Sequence, residues 1–373
     1  MQALDPSGTY ADSDVIDALT GRYGVRTMSY RYDRLDSTNK YIEPAEWVLG
    51  GSVANNALAD IKRTAKLTVL DRGTIDYLSD RIKPWARLAM PDGGVVEWPL
   101  GVFLLSTPTR TLGTQGLVTR DVDAYDQLVV LRDDKVTDRY TVAAGTAYTT
   151  AIATLLATVP GVVVNLVPST LTLPAALEWE PGTPKLRILN DMLGAINYGS
   201  AYFDEAGKLV CQPYQSPSER AVEYIYTDRE RTSVRSGAAQ QTLDLYDVPN
   251  KWVAVVSEAD RAVLTSTYTN DAPGSPTSTV KRGRTIVDYR TEQDAADQST
   301  LDAKVERYAF EASQVYEGVK FDTVVMPFHS NADVLQLDIP GLGLDAKYSE
   351  HTWGFDLRAG ATMTHTVRRV VSV

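Results

Sequence analysis

The chain has a single cysteine, Cys211, among its 373 residues. That excludes an internal disulfide and any cysteine-rich metal site. The lone thiol reads as a small buried hydrophobe in the extended run Lys208 to Tyr214. Histidine is almost as scarce, with only His329, His351 and His365 present. None of them stands in a His-x-x-x-His or His-Glu pattern, so no zinc-hydrolase signature exists. His351 and His365 read as a polar cross-strand pair across the last two strands rather than as a metal site. The sequence has no Gly-x-Ser-x-Gly elbow and no Gly-x-x-x-x-Gly-Lys phosphate loop. No apolar run approaches the ~20 residues of a membrane helix. The start, Met1-Gln-Ala-Leu-Asp-Pro-Ser-Gly, lacks the basic and apolar parts of a secretory signal, so the chain is expected to be soluble and made in the cytoplasm.

Positive charge is also in deficit. Lys and Arg number 37 against 48 Asp and Glu, a net charge of -11 with a pI near 4.9. A general nucleic-acid binder draws its affinity from cations that neutralise phosphates, so that class is disfavoured. A negative wall is still compatible with a duplex that slides past without sticking. Hydrophobic content of 43% supports real cores, and the length suggests two or three domains.

What is abundant is β-forming sequence. An N-terminal arm with a short helix occupies residues 1–24, where Asp12 or Ser13 can cap and Gly24 ends the helix. Residues 25–138 are strand-rich. Trp47 to Leu58 carries a bulge signal at Gly50-Gly51, and Ala65, Leu67 and Val69 alternate with polar neighbours. Met90 to Gly94 is a turn between Trp85–Ala89 and Val95–Trp98.

Residues 139–225 form a mixed α/β unit. One helix carries Tyr148, Ile152, Leu155, Leu156 and Val159 at helical spacing and stops at Pro160-Gly161. A second starts at Thr183-Pro184 and presents Leu189, Met192, Leu193 and Ile196. A hairpin with its turn at Asp204–Gly207 follows.

Residues 226–373 are β-rich again, with the compact strand Trp252 to Ser257 and an exposed, mobile loop at Asn270–Pro276. One long helix is expected after Thr291 and Asp294, a capping-box-like start, with Leu301, Val305, Tyr308, Ala309 and Ala312 as its stripe.

Chemical patterns are few, and each has a plainer reading beside it. Gly341-Leu-Gly343-Leu-Asp-Ala346 matches part of a dinucleotide fingerprint. Pro340 precedes it and Lys347 to Leu357 reads as a strand, so a β-turn is the better reading. Glu178 and Glu180 flank Trp179 and share a face, as an acid pair beside a sugar platform would; the plain alternative is an exposed acidic loop. Asp121 with Asp123, and Asp133 with Asp134, fall short of the oxygen set that calcium prefers. The 20 tyrosines and 6 tryptophans sit mostly at alternate strand positions, as packing residues do. No catalytic, cofactor-binding or metal-binding residue is assigned, and no cofactor is called for.

The C-terminal run carries the most information. Val319–Val325 and Asp333-Val-Leu-Gln-Leu-Asp-Ile-Pro340 are strands, Gly341–Asp345 is a turn, and Lys347–Leu357 and Met363–Val373 are strands. In this order they resemble the closing part of phage tail-hub proteins. Three further segments are similar to the same family: Trp47–Asp71, Arg81–Leu88 with Glu97–Pro108, and Leu186–Tyr214. The family is that of the baseplate hub, or the N-terminal module of tail-associated lysins, in long-tailed phages of actinobacterial type.

The resemblance implies an α+β, mostly β fold, with two barrel-like tube domains (25–138 and 226–373) separated by the mixed domain 139–225. It implies a homotrimeric, pseudo-sixfold ring at the virion tail tip with no enzymatic activity. The implied partners are a distal tail ring protein, the tail tube protein, the tape-measure protein and a tail spike or fibre. DNA would pass through the lumen without specific binding. The chain stops at Val373, without the C-terminal extension that carries lysin or receptor-binding domains in many relatives, which favours a structural role. The alternative is a tail-borne glycan-binding or cell-wall-degrading protein using Glu178 and Glu180.

Overall fold

The computed structural model describes residues 1–369 except 72–74, 107–108, 114–115, 230–234, 236, 244–245, 258–261, 293 and 314–316. Period-2 segments assemble into one large sheet of fifteen strands. Its main path runs Gln240–Leu243, Glu317–Val324, Thr362–Arg369, Leu344–Asp356, Val48–Asn56, Arg63–Leu70, Val118–Asp126, Phe103–Leu105, Arg81–Ala89, Met28–Leu35 and Tyr41–Pro44. Neighbours on this path are antiparallel. Beside it, Tyr224–Thr227 pairs in parallel with Val334–Ile339.

The two expected barrel-like tube domains are not formed. A barrel requires its first and last strands to hydrogen-bond, and here the path ends at Gln240–Leu243 and Tyr41–Pro44, which are not paired with each other. Every residue of both end strands is exposed. The N- and C-terminal β-rich regions are instead fused. The 13-residue strand Leu344–Asp356 pairs antiparallel with Val48–Asn56, from Thr352 opposite Asn56 to Asp356 opposite Ser52. Alternation fixes which face a residue takes but not which strand lies beside it. A closed barrel and an open sheet therefore share one sequence pattern.

The Gly50-Gly51 bulge is present as a register shift between Val48 and Gly50 against the strand Arg63–Leu70. Gly51 has φ +151°, and a Cβ there would lie 1.9 Å from the Lys66 carbonyl oxygen, so only glycine allows this approach. The glycines 341 and 343 form a strand–turn–strand connection. Ile339 faces Leu344 across the turn, and Gly343, at φ +67°, donates its N–H to the Pro340 carbonyl. No helix N-terminus follows to hold a pyrophosphate.

Helix starts differ from the expected caps. Asp12–Leu19 has Ala11 at its N-cap and no side-chain cap, with Asp12 and Asp14 in the first turn, where carboxylates suit the helix dipole. Lys185–Ala195 has Pro184 itself at the N-cap, while the Thr183 hydroxyl donates to the Glu180 carbonyl. The long helix is Gln298–Ser313, later than expected, because Thr291 lies in the strand Val287–Glu292. Asp297 acts as its cap, accepting from the Thr300 N–H at 2.7 Å. Asp294 instead accepts from the Tyr148 hydroxyl and ties this region to the mixed unit.

Three apolar cores result. The largest gathers residues of both β-rich regions, among them Leu67, Trp98, Phe321 and Trp353. A second spans Leu128 to Cys211. In the third, Leu301, Val305 and Ala309 of the long helix pack on Trp252, Ala254 and Val256. The Asn270–Pro276 loop is anchored at its base, where the Asn270 amide is buried and donates to Ser275 Oγ at 2.8 Å.

Candidate functional site

Two polar constellations stand out from this frame. The first is buried in the largest core. A bulge shifts the pairing of Leu344–Asp356 with Thr362–Arg369 between Glu350, opposite Val367, and Thr352, opposite Thr366. The extra residue is His351. Glu350 thereby turns inward between two imidazoles, accepting from His329 Nδ1 at 2.6 Å and from His365 Nδ1 at 2.6 Å. The expected His351–His365 pair is not formed, because the bulge sends His351 elsewhere.

The outer nitrogens are also engaged. His329 Nε2 lies 2.7 Å from the Tyr226 hydroxyl and His365 Nε2 lies 2.9 Å from Thr323 Oγ1. Asp333 Oδ2 is 3.2 Å from His329 Nδ1, and the Met1 amino nitrogen is 2.9 Å from Asp333 Oδ1.

Burial would drive His329 towards neutrality, but the charges and hydrogen bonds of Glu350 and Asp333 outweigh it and raise its pKa to about 9. Burial likewise opposes ionisation of Asp333 and Glu350, and the His329 interactions hold both below the usual carboxylate range. Burial prevails at His365, whose pKa is lowered. The group is therefore an imidazolium between two carboxylates, with a neutral second imidazole.

His329, Glu350 and His365 present donor atoms within 4.8 Å of one another, a set that would suit zinc by type. The geometry does not fit. Two ligands at zinc bond lengths and a tetrahedral angle lie about 3.3 Å apart, whereas both imidazole–carboxylate contacts measure 2.6 Å, a hydrogen-bond length. Both contacts have the length of a charge-assisted hydrogen bond, and the constellation reads as a structural charge network.

The second constellation is a cleft of about 860 Å³ between residues 57–62, the mixed unit, the end of the long helix and the strand pair carrying His351 and Arg368. No motif marked it, because its walls come from chain segments far apart in sequence.

The remaining sequence candidates are dispersed. Glu178 and Glu180 are exposed and both ion-paired to Arg139, at 3.3 and 3.0 Å. Trp179 between them is buried, and its indole N–H donates to Asp191, so it offers no open platform for a sugar. Asp121 accepts from Thr68, Asp133 pairs with Arg132, and Asp134 pairs with Lys185. Cys211 is fully buried, and burial pushes its thiol up to about 12, which leaves it unreactive. Among the described residues no helix is long and apolar enough to cross a membrane.

The fold is shared with proteins of phage and prophage tails. A tail protein from Neisseria meningitidis MC58 superposes with a TM-score of 0.64 at 11% identity, over 91% of this chain and 97% of that one. The 43 kDa tail protein of prophage MuSo2 from Shewanella oneidensis gives 0.62 at 13% identity, over 92% and 98%. A prophage tail protein from Listeria monocytogenes EGD-e gives 0.56 at 11% identity, over 91% and 94%. No protein-family model and no curated protein matches the sequence.

Proposed function

We propose that this chain is a structural, non-enzymatic component of a phage tail, positioned at the tail tip as a hub. The observation that carries this reading is the shared fold, which takes in 97% and 98% of two tail proteins and over nine-tenths of this chain. In the finer form of the proposal three copies make a ring of pseudo-sixfold character that closes the tail tube. Its neighbours are the distal tail ring, the tail tube, the tape-measure protein and a spike or fibre, and DNA passes through its centre.

Two features support a ring. The sheet ends in two open edges, Tyr41–Pro44 and Gln240–Leu243, whose side chains are all exposed, and open edges are surfaces on which a neighbouring chain can add strands. Exposed Tyr41, Ile42 and Leu243 lie on those edges and would be covered by a neighbour. The acidic composition suits a passage that must not retain phosphate.

The test is negative-stain microscopy of the purified chain viewed down its symmetry axis, together with its incorporation into tail tubes. A threefold ring with six peripheral densities is expected. Particles that stay monomeric at high concentration and fail to join tubes would overturn the proposal.

A further inference from the structure

The cleft beside the bulge holds positive groups without carboxylate partners, which is unusual in a chain with a net charge of -11. Arg368 stands opposite Ser349 in the strand pair, half-buried, and its guanidinium has no hydrogen-bond or ion-pair partner among the described residues. A charge kept half out of water without a counter-ion is costly. Burial lowers the Arg368 pKa, and it does the same for its neighbour His351 before Arg368 adds its own repulsion. The Nδ1 atom of His351 is itself buried and unpartnered.

Lys62 completes the group. Its ammonium donates to the carbonyl oxygens of Ala57 and Ala59 at 2.8 and 3.4 Å and forms no ion pair among the described residues. The Ala57 N–H in turn donates to the His351 carbonyl, so Lys62 and His351 border the same end of the cleft. Most carboxylates of the lining are already engaged: Glu223 by Arg220, Glu311 by Arg307, and Glu350 by the two histidines. Among the described lining residues Asp60 is the carboxylate without an ion pair; it and the buried Asp126 both act on Lys62, which leaves Arg368 as the cation with no carboxylate near it. Asn331, also in the lining, holds a second unpartnered buried acceptor, Oδ1.

We propose that this cleft binds a carboxylate carried on an extended acidic peptide segment of a partner protein, with Arg368 forming the charge-assisted contact, Lys62 a second cation and His351 Nδ1 and Asn331 polar contacts to the segment. The peptide is favoured over a free small acid because the cleft, at about 860 Å³, is larger than a small acid needs and is lined with amides and hydroxyls, including Gln212, Gln215 and Ser349, which suit a peptide backbone. The inference stands apart from ring formation, since a monomer carries the whole cleft.

The probe is a fluorescent octapeptide of alternating glutamate and glycine, with a glutamine–glycine peptide as control, titrated into the full chain at low salt and followed by anisotropy. The glutamate peptide is expected to bind and the control not to bind. Arg368→Gln should weaken binding at least about tenfold, the scale of one charge-assisted contact. It should leave the melting temperature unchanged or higher, because it removes an unpaired half-buried charge. Lys62→Gln should give a smaller loss, which keeps the test open should one variant fold poorly. No binding of the glutamate peptide by the unmodified chain, or equal binding by Arg368→Gln, would overturn the proposal. Binding of citrate without binding of the peptide would overturn the peptide assignment.

Discussion

Arg63 and Glu205 stand 142 positions apart in the chain, and their side chains meet at 2.6 Å. The Ser330 hydroxyl donates to the same Glu205 oxygen at 2.7 Å. Three parts of the chain therefore converge on one carboxylate: the first β-rich region, the mixed unit and the C-terminal region. Arg63 is 2% exposed, and its guanidinium also lies 5.6 Å from the Trp353 ring, so neither water nor salt can replace a lost partner. Breaking such a pair by removing one member leaves a buried charge unpaired, at a cost of about 3–5 kcal/mol. Glu205→Leu should lower the unfolding free energy obtained from urea titration by an amount on that scale. Arg63→Met combined with Glu205→Leu should recover much of the loss, because no charge is then stranded. A double variant as unstable as the single one would show that Glu205 acts through packing alone.

The His329–Glu350–His365 network makes stability depend on pH in two directions. His329 is raised from 6.5 to about 9, so its contribution is fully present below pH 6.5 and is lost as pH rises through 9. Asp333 and Glu350 are lowered, so theirs is present above the ordinary carboxylate range and lost as pH falls. His365 is lowered from 6.5, so its share is present above that value and declines as the solution is acidified. Urea midpoints across pH 4 to 10 should fall at both ends. His329→Gln should shrink the alkaline limb between pH 6.5 and 9, leaving the part that the Met1 ammonium supplies, since burial opposes its charge but Asp333 raises its pKa above the ordinary 8.0. An alkaline limb unchanged in that variant would remove His329 as its source.

Local strand content was legible in the sequence, whereas sheet order was not. The alternation of Ala65, Leu67 and Val69 marks a strand whose inner face is buried, as observed. Nothing in that alternation says that Leu344–Asp356 will lie beside Val48–Asn56 and carry one sheet through both β-rich regions. The scarcity of histidine drew attention to the right residues but paired the wrong two. A usable signal was present: Tyr348 and Trp353 are an odd number of residues apart, yet both are buried in the same core, which requires a bulge between them. That bulge turns Glu350 inward and His351 towards the cleft. The helix caps failed for a related reason. Asp294 is a plausible cap on local grounds, but a tertiary contact with Tyr148 claims its carboxylate, and Asp297 caps instead.

Glu178 and Glu180 provide a direct check on the glycan-active alternative. Both are more than half exposed and share one guanidinium, that of Arg139. Exposed pairs of this kind contribute about 0–1 kcal/mol. The double substitution Glu178→Gln with Glu180→Gln should therefore shift the melting temperature little. It should also leave the proposed assembly into rings and tails intact. Loss of a cell-wall hydrolysis activity in this variant would revive the enzymatic reading.

Gly51 tests the fused sheet at its tightest point. With φ +151° and the Lys66 carbonyl 1.9 Å from any added Cβ, the position combines backbone strain with a main-chain clash, and neither can be relieved by a side-chain rotation. Gly51→Ala should cost more than about 1 kcal/mol, the threshold for alanine forced into such a backbone. The loss should appear as faster amide exchange along the pairing of Val48–Asn56 with both Arg63–Leu70 and Leu344–Asp356, because Gly51 sits in the strand that joins the two halves of the sheet. Gly274 is the matched control. A Cβ there meets nothing within 4 Å and its φ lies outside the left-handed region, so Gly274→Ala should stay within about 0.5 kcal/mol of the parent. Equal effects at the two positions would mean that the strand Val48–Asn56 does not approach Arg63–Leu70 as closely as described.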